Sequence, residues 1–153
     1  MKTFVATAVL AFGLLAPMAH AADTETTAPV NAENADYSAG KAAVARKDWP
    51  AAVQSFRKVV AAEPNSADGY NMLGFSLRWM GKMDDAFAAY DRALALDPRH
   101  RGALEYSGVA YLKAGKPAKA QEQLVRLEKI GGKSSEEYRD LAKAIADYSA
   151  GKQ

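Results

Sequence analysis

The sequence predicts an all-α chain of three consecutive two-helix units, closed by a carboxy-terminal helix. Three observations carry this. Apolar and small residues coincide when the 153-residue sequence is displaced by 34 positions. Within the units those residues recur at i, i+3, i+4 and i+7, one face of a helix. Glycine, aspartate and proline interrupt the rhythm inside each unit and again between units, where helices need caps and breaks.

The first element precedes the repeats. Residues 1–21, "MKTFVATAVLAFGLLAPMAHA", have the three parts of a secretory signal peptide: Lys2, an apolar run from Thr3 to Ala16, and small residues around a cleavage point at Ala19-His20-Ala21. The apolar run is short for a bilayer span, which needs about 20 residues. Cleavage would leave a chain beginning at Ala22 with no membrane span, exported and most simply periplasmic; an uncleaved anchor is the alternative. Residues 22–36 have Val30 as their one large aliphatic side chain and no aromatic one, too little apolar surface to order a segment, and read as a flexible leader.

The repeat domain is expected over 37–149, with units at about 33–66, 67–100 and 101–134. In register, Gly40 falls on Gly74 and Gly108, Ala52 on Ala86 and Ala120, and Phe56 on Tyr90 and Leu124. Val59 meets Ala93 and Leu127, and Pro64 meets Pro98, where the third unit has Gly132. In the first unit the helix break lies at "KDWP", with Asp48 as cap and Pro50 in the first turn. In the second, Tyr70, Leu73, Gly74 and Leu77 make one stripe. Gly81 suits a left-handed C-terminal cap, and Asp84 and Asp85 open the next helix where its dipole favours acids. Asp97-Pro98 stops that helix, and in the third unit Pro117 restarts the chain after "AGK". Glycine inside a helix costs about 1 kcal/mol against alanine. Three of them at one spacing imply close helix crossings that repay the cost.

The last segment, about 135–149, reads as a capping helix. Ser134 and Glu137 have capping-box spacing, and Tyr138, Leu141, Ile145 and Tyr148 form one stripe. A repeat array needs such an end, because the last unit would otherwise leave its apolar face wet.

The unit length and these residues resemble the tetratricopeptide repeat. The second unit matches nearly throughout, at Leu73-Gly74, Gly81, Ala86, Tyr90, Ala93 and Pro98. The first departs at Asp36, Ala39 and Lys47, where a large residue, leucine and glycine are usual; the third departs at Ser107 and Gly132. The resemblance implies a right-handed superhelix, an α-solenoid of stacked hairpins. It also implies a concave groove, lined by the first helix of each unit, that binds peptides. Small exported repeat proteins of similar appearance carry two cysteines before the last helix; here that turn is "GGKSSEEY", so no disulfide carries over.

Composition narrows the chemistry. There is no cysteine, so neither a disulfide nor lipid attachment through a thiol is available. With 20 basic and 18 acidic residues the net charge is +2, without the basic surface that nucleic-acid binding needs. Histidine occurs twice, as His20 in the signal and as His100 at a repeat junction, where it reads as a solvated surface residue. No metal site or cofactor is expected from that inventory. "GFSLRWMGK" at 74–82 is not a phosphate loop: six residues, not four, separate its glycines, and Lys82 precedes Met83, not Ser or Thr. Asp84-Asp85 and Glu136-Glu137 read as helix-start charges rather than as acid–base pairs, so no catalytic residue is proposed.

The candidate site is therefore a peptide-binding groove. Residues turned one helical face from the packing stripe are Tyr37, Lys41 and Val44 in the first unit, Asn71, Phe75, Arg78 and Trp79 in the second, and Glu105, Val109, Leu112 and Lys113 in the third. They form an aromatic and aliphatic strip bordered by Lys41, Arg78 and Lys113, suited to an extended peptide or an amphipathic helix. The expectation is a non-catalytic scaffold or assembly factor of the cell envelope with a protein partner. One alternative is a homodimer through Tyr138, Leu141 and Tyr148; another, of a different class, is a small-molecule binder or enzyme. The lysine and asparagine clamp by which some family members grip chaperone tails is absent, since the corresponding positions hold Tyr37, Lys41, Met72, Gly102 and Tyr106.

Overall fold

The structure, a computed structural model, describes residues 35–152; the expected signal peptide and all but the last two residues of the expected leader lie outside them. The described residues form seven helices and no strand. They are α1 (Ala35–Ala45), α2 (Trp49–Ala62), α3 (Ala67–Trp79), α4 (Met83–Leu96), α5 (Arg101–Lys113), α6 (Pro117–Gly131) and α7 (Glu136–Ser149). Pairs α1–α2, α3–α4 and α5–α6 are the three hairpins, and α7 packs on both α5 and α6. The result is an α-solenoid with an end helix. Helix α1 starts at Ala35, inside the first expected unit of about 33–66.

Local chemistry sets the boundaries. Asp48 Oδ1 accepts the Ala51 N–H at 3.2 Å to cap α2, with Pro50 in the first turn. Ser66 Oγ accepts the Gly69 N–H at 3.1 Å to cap α3. One unit later the same place holds His100, whose Nδ1 accepts the Ala103 N–H at 3.2 Å. Its Nε2 lies 2.9 Å from Asp68 Oδ1, and its side chain is 12% exposed. With Nδ1 accepting, Nε2 carries the proton and donates to Asp68. His100 is thus a helix cap tying α5 to α3, not the solvated residue its isolation suggested.

Gly81 and Gly115 adopt φ of +74° and +69° in the hairpin turns. The equivalent residue of the first unit is Lys47, at φ +58°, the only non-glycine with positive φ among the described residues. Side chains resist that region by roughly 1–2 kcal/mol, and the turn keeps its shape without the usual glycine. The expected capping box of Ser134 and Glu137 does not form. Helix α6 runs through Gly131, Gly132 turns at φ +73°, and α7 starts one residue later than strict spacing would place it. Ser135 therefore takes the N-cap position and donates its hydroxyl to Gly132 O at 3.0 Å, while Glu137 pairs with Arg101.

The aligned glycines are contact points. A Cβ on Gly40 would stand 2.6 Å from the Phe56 ring, and one on Gly74 would stand 2.8 Å from the Tyr90 ring. Phe56 and Tyr90 are fully buried there, each in the notch of its own hairpin. The third notch is filled differently: a Cβ on Gly108 would meet Leu141 of α7 at 2.6 Å. Leu141 is 0% exposed and sits with Leu104, Leu124 and Leu127 in a second core cluster. It therefore holds the end helix to the array and is not available for a dimer surface; Tyr138 and Tyr148 are themselves partly buried. Two hydrogen bonds repeat between units at the same interval: Arg92 Nη2 donates to Pro64 O at 3.3 Å, and Arg126 Nη2 to Pro98 O at 3.0 Å.

Candidate functional site

The end of α3, the start of α2 and α5 bring four aromatic rings together. Phe75 and Trp79 lie one turn apart on α3, so both point to the same side. The Asp48 cap starts α2 at Trp49, and the Trp49 indole stacks on Trp79, with centroids 5.2 Å apart and planes within 7°. Phe75 meets both indoles edge-on, at 6.1 Å from Trp49 and 6.3 Å from Trp79. From α5, Tyr106 closes the row at 4.9 Å from Phe75. Offset stacks and edge contacts of this kind each contribute roughly 0.5–1.5 kcal/mol beyond area burial.

Two cations order the rings. The Arg78 guanidinium carbon lies 5.2 Å from the Phe75 centroid and 5.2 Å from that of Trp79. Lys113 Nζ lies 5.7 Å from the Trp79 ring. Trp79 is nonetheless 49% exposed, one of two large hydrophobic side chains to stand so far out among the described residues. Its indole thus meets solvent beside two cations.

The other expected groove residues divide. Arg78 is 8% exposed, with Nε buried and without a hydrogen-bond partner, so it supports the rings from beneath instead of bordering the groove. Asn71, one helical turn before Phe75, is also buried, and its Oδ1 has no partner. Tyr37 makes an edge contact with Phe56 at 5.6 Å and Val44 packs on the same core, while Lys41 Nζ lies 5.5 Å from the Tyr37 ring. In the third unit α7 has taken the neighbouring space. Val109 and Leu112 join Lys113 in lining a cavity of about 210 Å³ against Ala144, Asp147 and Tyr148.

Glu105 remains at the α5 end of the row, beside Tyr106. Its carboxyl is pushed up to about 7, first by burial and then by Asp140, Glu137 and Glu136 of α7, with Arg78 opposing. Burial and then Glu105 likewise push the Tyr106 hydroxyl up. Burial pushes the Tyr90 hydroxyl up as well, against the nearby Arg78.

Family profiles described as "Tetratricopeptide repeat" match residues 34–66 and 67–100. The chain belongs to the tetratricopeptide repeat family. Solved structures of similar fold include the TPR2B-domain:pHsp70 complex of yeast Sti1, with a TM-score of 0.68 and 22% identity over 76% of this chain and 94% of that one. Another is the type III secretion translocator chaperone SycD of Yersinia enterocolitica, with a TM-score of 0.65 and 16% identity over 76% of this chain and 87% of that one. The CopN-Scc3 complex matches with a TM-score of 0.60 and 22% identity, over 73% of this chain and 65% of that one.

The tetratricopeptide register shows what sequence reasoning missed. Trp79 aligns with Lys113, so the lysine over its ring comes from the equivalent place one repeat on. Trp49 aligns with Met83 and Pro117, the first residues of α4 and α6. It belongs to a second helix, whereas the expected groove residues all lie on first helices. Its position directly after a capping aspartate was the available signal. Tyr106 stands at a clamp position, and its contact with Phe75 makes it part of the aromatic row.

Proposed function

We propose that this tetratricopeptide repeat chain is a non-catalytic interaction scaffold that binds an extended peptide or an amphipathic helix of a partner protein. The observation that carries this reading is Trp79, half exposed yet held rigid by the Trp49 stack and by Lys113. A side chain fixed before binding loses little conformational entropy in a complex. The complexes among the solved structures of like fold support a protein partner. No chaperone-tail specificity follows, because Met72 and Gly102 stand where that clamp needs polar side chains.

Replacing Trp49 and Trp79 by alanine is expected to abolish capture of the partner from an envelope extract while leaving helical content intact. Unchanged capture would overturn the groove assignment. The residue pattern of 1–21 supports export and a periplasmic address for the scaffold. Fractionation tests it: the full chain is expected in the periplasm and a chain lacking residues 2–21 in the cytoplasm. Full-length protein found wholly in the cytoplasm would remove the envelope role and leave the groove untouched.

A further inference from the structure

We infer that the α5–α7 end of the groove is a cation subsite: the partner segment seats a lysine or arginine side chain beside Glu105, while an apolar side chain of the same segment lies on Trp79. This rests on the groove reading and names the chemistry of what the groove takes.

Three further carboxylates act on Glu105 there. Glu105 comes from α5, and Glu136, Glu137 and Asp140 come from the first turns of α7, each raising the cost of charging Glu105. The cations near them include Arg78 of α3, which is sunk beneath the aromatic rings, Arg101 of α5, whose Nε lies 3.4 Å from Glu137 Oε1, and Lys143 of α7, which acts on Asp140 while paired with Asp147. Arg101 leaves the second oxygen of that carboxylate, Oε2, buried with no partner. A second acceptor is independent of the acidic cluster. Asn71 is 5% exposed, and its Oδ1 also lacks a donor. It is next to α5, since a Cβ added at Gly102 would stand 3.1 Å from Asn71 Nδ2.

A buried acceptor without a donor costs about 1–3 kcal/mol, and like charges held together add to that. Both costs end when a ligand brings N–H donors and a positive charge. A lysine ammonium has three donors and an arginine guanidinium five. Geometry ties this subsite to the indoles: Tyr106, the neighbour of Glu105, contacts Phe75, and Phe75 contacts Trp79. The row of rings thus runs from the residue beside Glu105 to Trp79.

The test is selection of a displayed random-peptide library on the full chain at pH 8, with binding of the synthesised winners followed by tryptophan fluorescence. Lysine or arginine is expected to be enriched at one position of the selected peptides. Glu105→Gln with Glu137→Gln is expected to weaken them by roughly tenfold or more. Unchanged helical content and a cooperative melt in the double variant distinguish that loss from misfolding. Peptides that depend on Trp79 but carry no basic residue, or that ignore the two glutamines, would overturn the cation subsite and spare the groove. Peptides that bind equally well to Trp79→Ala, or a selection that returns none, would overturn the groove reading and this inference together.

Discussion

Trp49 at the start of α2 and Trp79 at the end of α3 lie face to face, 5.2 Å apart and parallel to within 7°. The pair joins the first hairpin to the second and presents an indole to solvent. Trp49→Ala is expected to lower stability by about 1 kcal/mol and to loosen Trp79. Urea unfolding measures the first effect; faster depolarisation of the remaining tryptophan emission measures the second.

The hairpin notches rank three glycines. Gly74→Ala would push against the buried Tyr90 ring at 2.8 Å and the backbone oxygen of Ala86 at 3.1 Å. It is expected to cost about 1–3 kcal/mol despite alanine's better helix propensity. Gly40→Ala, against Phe56, falls in the same range. Gly108→Ala meets the branched side chain of Leu141, with neither a ring nor backbone in the way, so it is expected to cost less than either. Thermal melts of the three variants give the order.

Lys47 offers the opposite outcome. Its φ of +58° is strained for a side chain, and Gly81 and Gly115 hold the matching turns of the other units. Lys47→Gly is expected to raise stability by about 1 kcal/mol. A decrease in the urea midpoint would contradict the strain argument.

Much of the fold was legible because packing repeats. Gly40, Gly74 and Gly108 marked the crossings, and Gly81 marked a turn, through steric needs that one residue type meets. The third unit was harder to read. Its notch takes Leu141 from α7 instead of Leu124, and the extra residue in α6 shifts the cap from Ser134 to Ser135. Both depend on how α7 seats, which no local pattern states. The groove was half legible. Phe75 and Trp79 follow from helical phase, whereas the burial of Arg78 and Asn71 depends on neighbouring helices. Trp49 reaches the row from a different layer. The Arg92 and Arg126 bonds to Pro64 and Pro98 lie at the repeat interval and were within reach of the same comparison.

Glu105 makes stability depend on pH in a direction of its own. Its folded carboxyl sits at about 7 against an ordinary 4.5, so between those values the native chain binds the proton that the unfolded chain has lost. The contribution therefore falls as pH rises through that window, and the cost of charging Glu105 is fully present above about 7. Glu105→Gln is expected to stabilise the protein by about 1–2 kcal/mol at pH 8, after allowance for partial exposure, and by almost nothing at pH 4. Chemical denaturation at the two pH values checks both size and sign.

The central claim is that the indole row is where a partner protein docks. A photoreactive residue at position 79, in cells making the full chain, tests it most directly against the same residue at position 125. Val125 on α6 is the other exposed large hydrophobic among the described residues, at 41% against 49% for Trp79. The account predicts one discrete crosslinked protein from position 79, lost when Trp49 is also replaced by alanine, and none from position 125. Equal crosslinking from both positions, or none from position 79 while the partner is still captured, would contradict it.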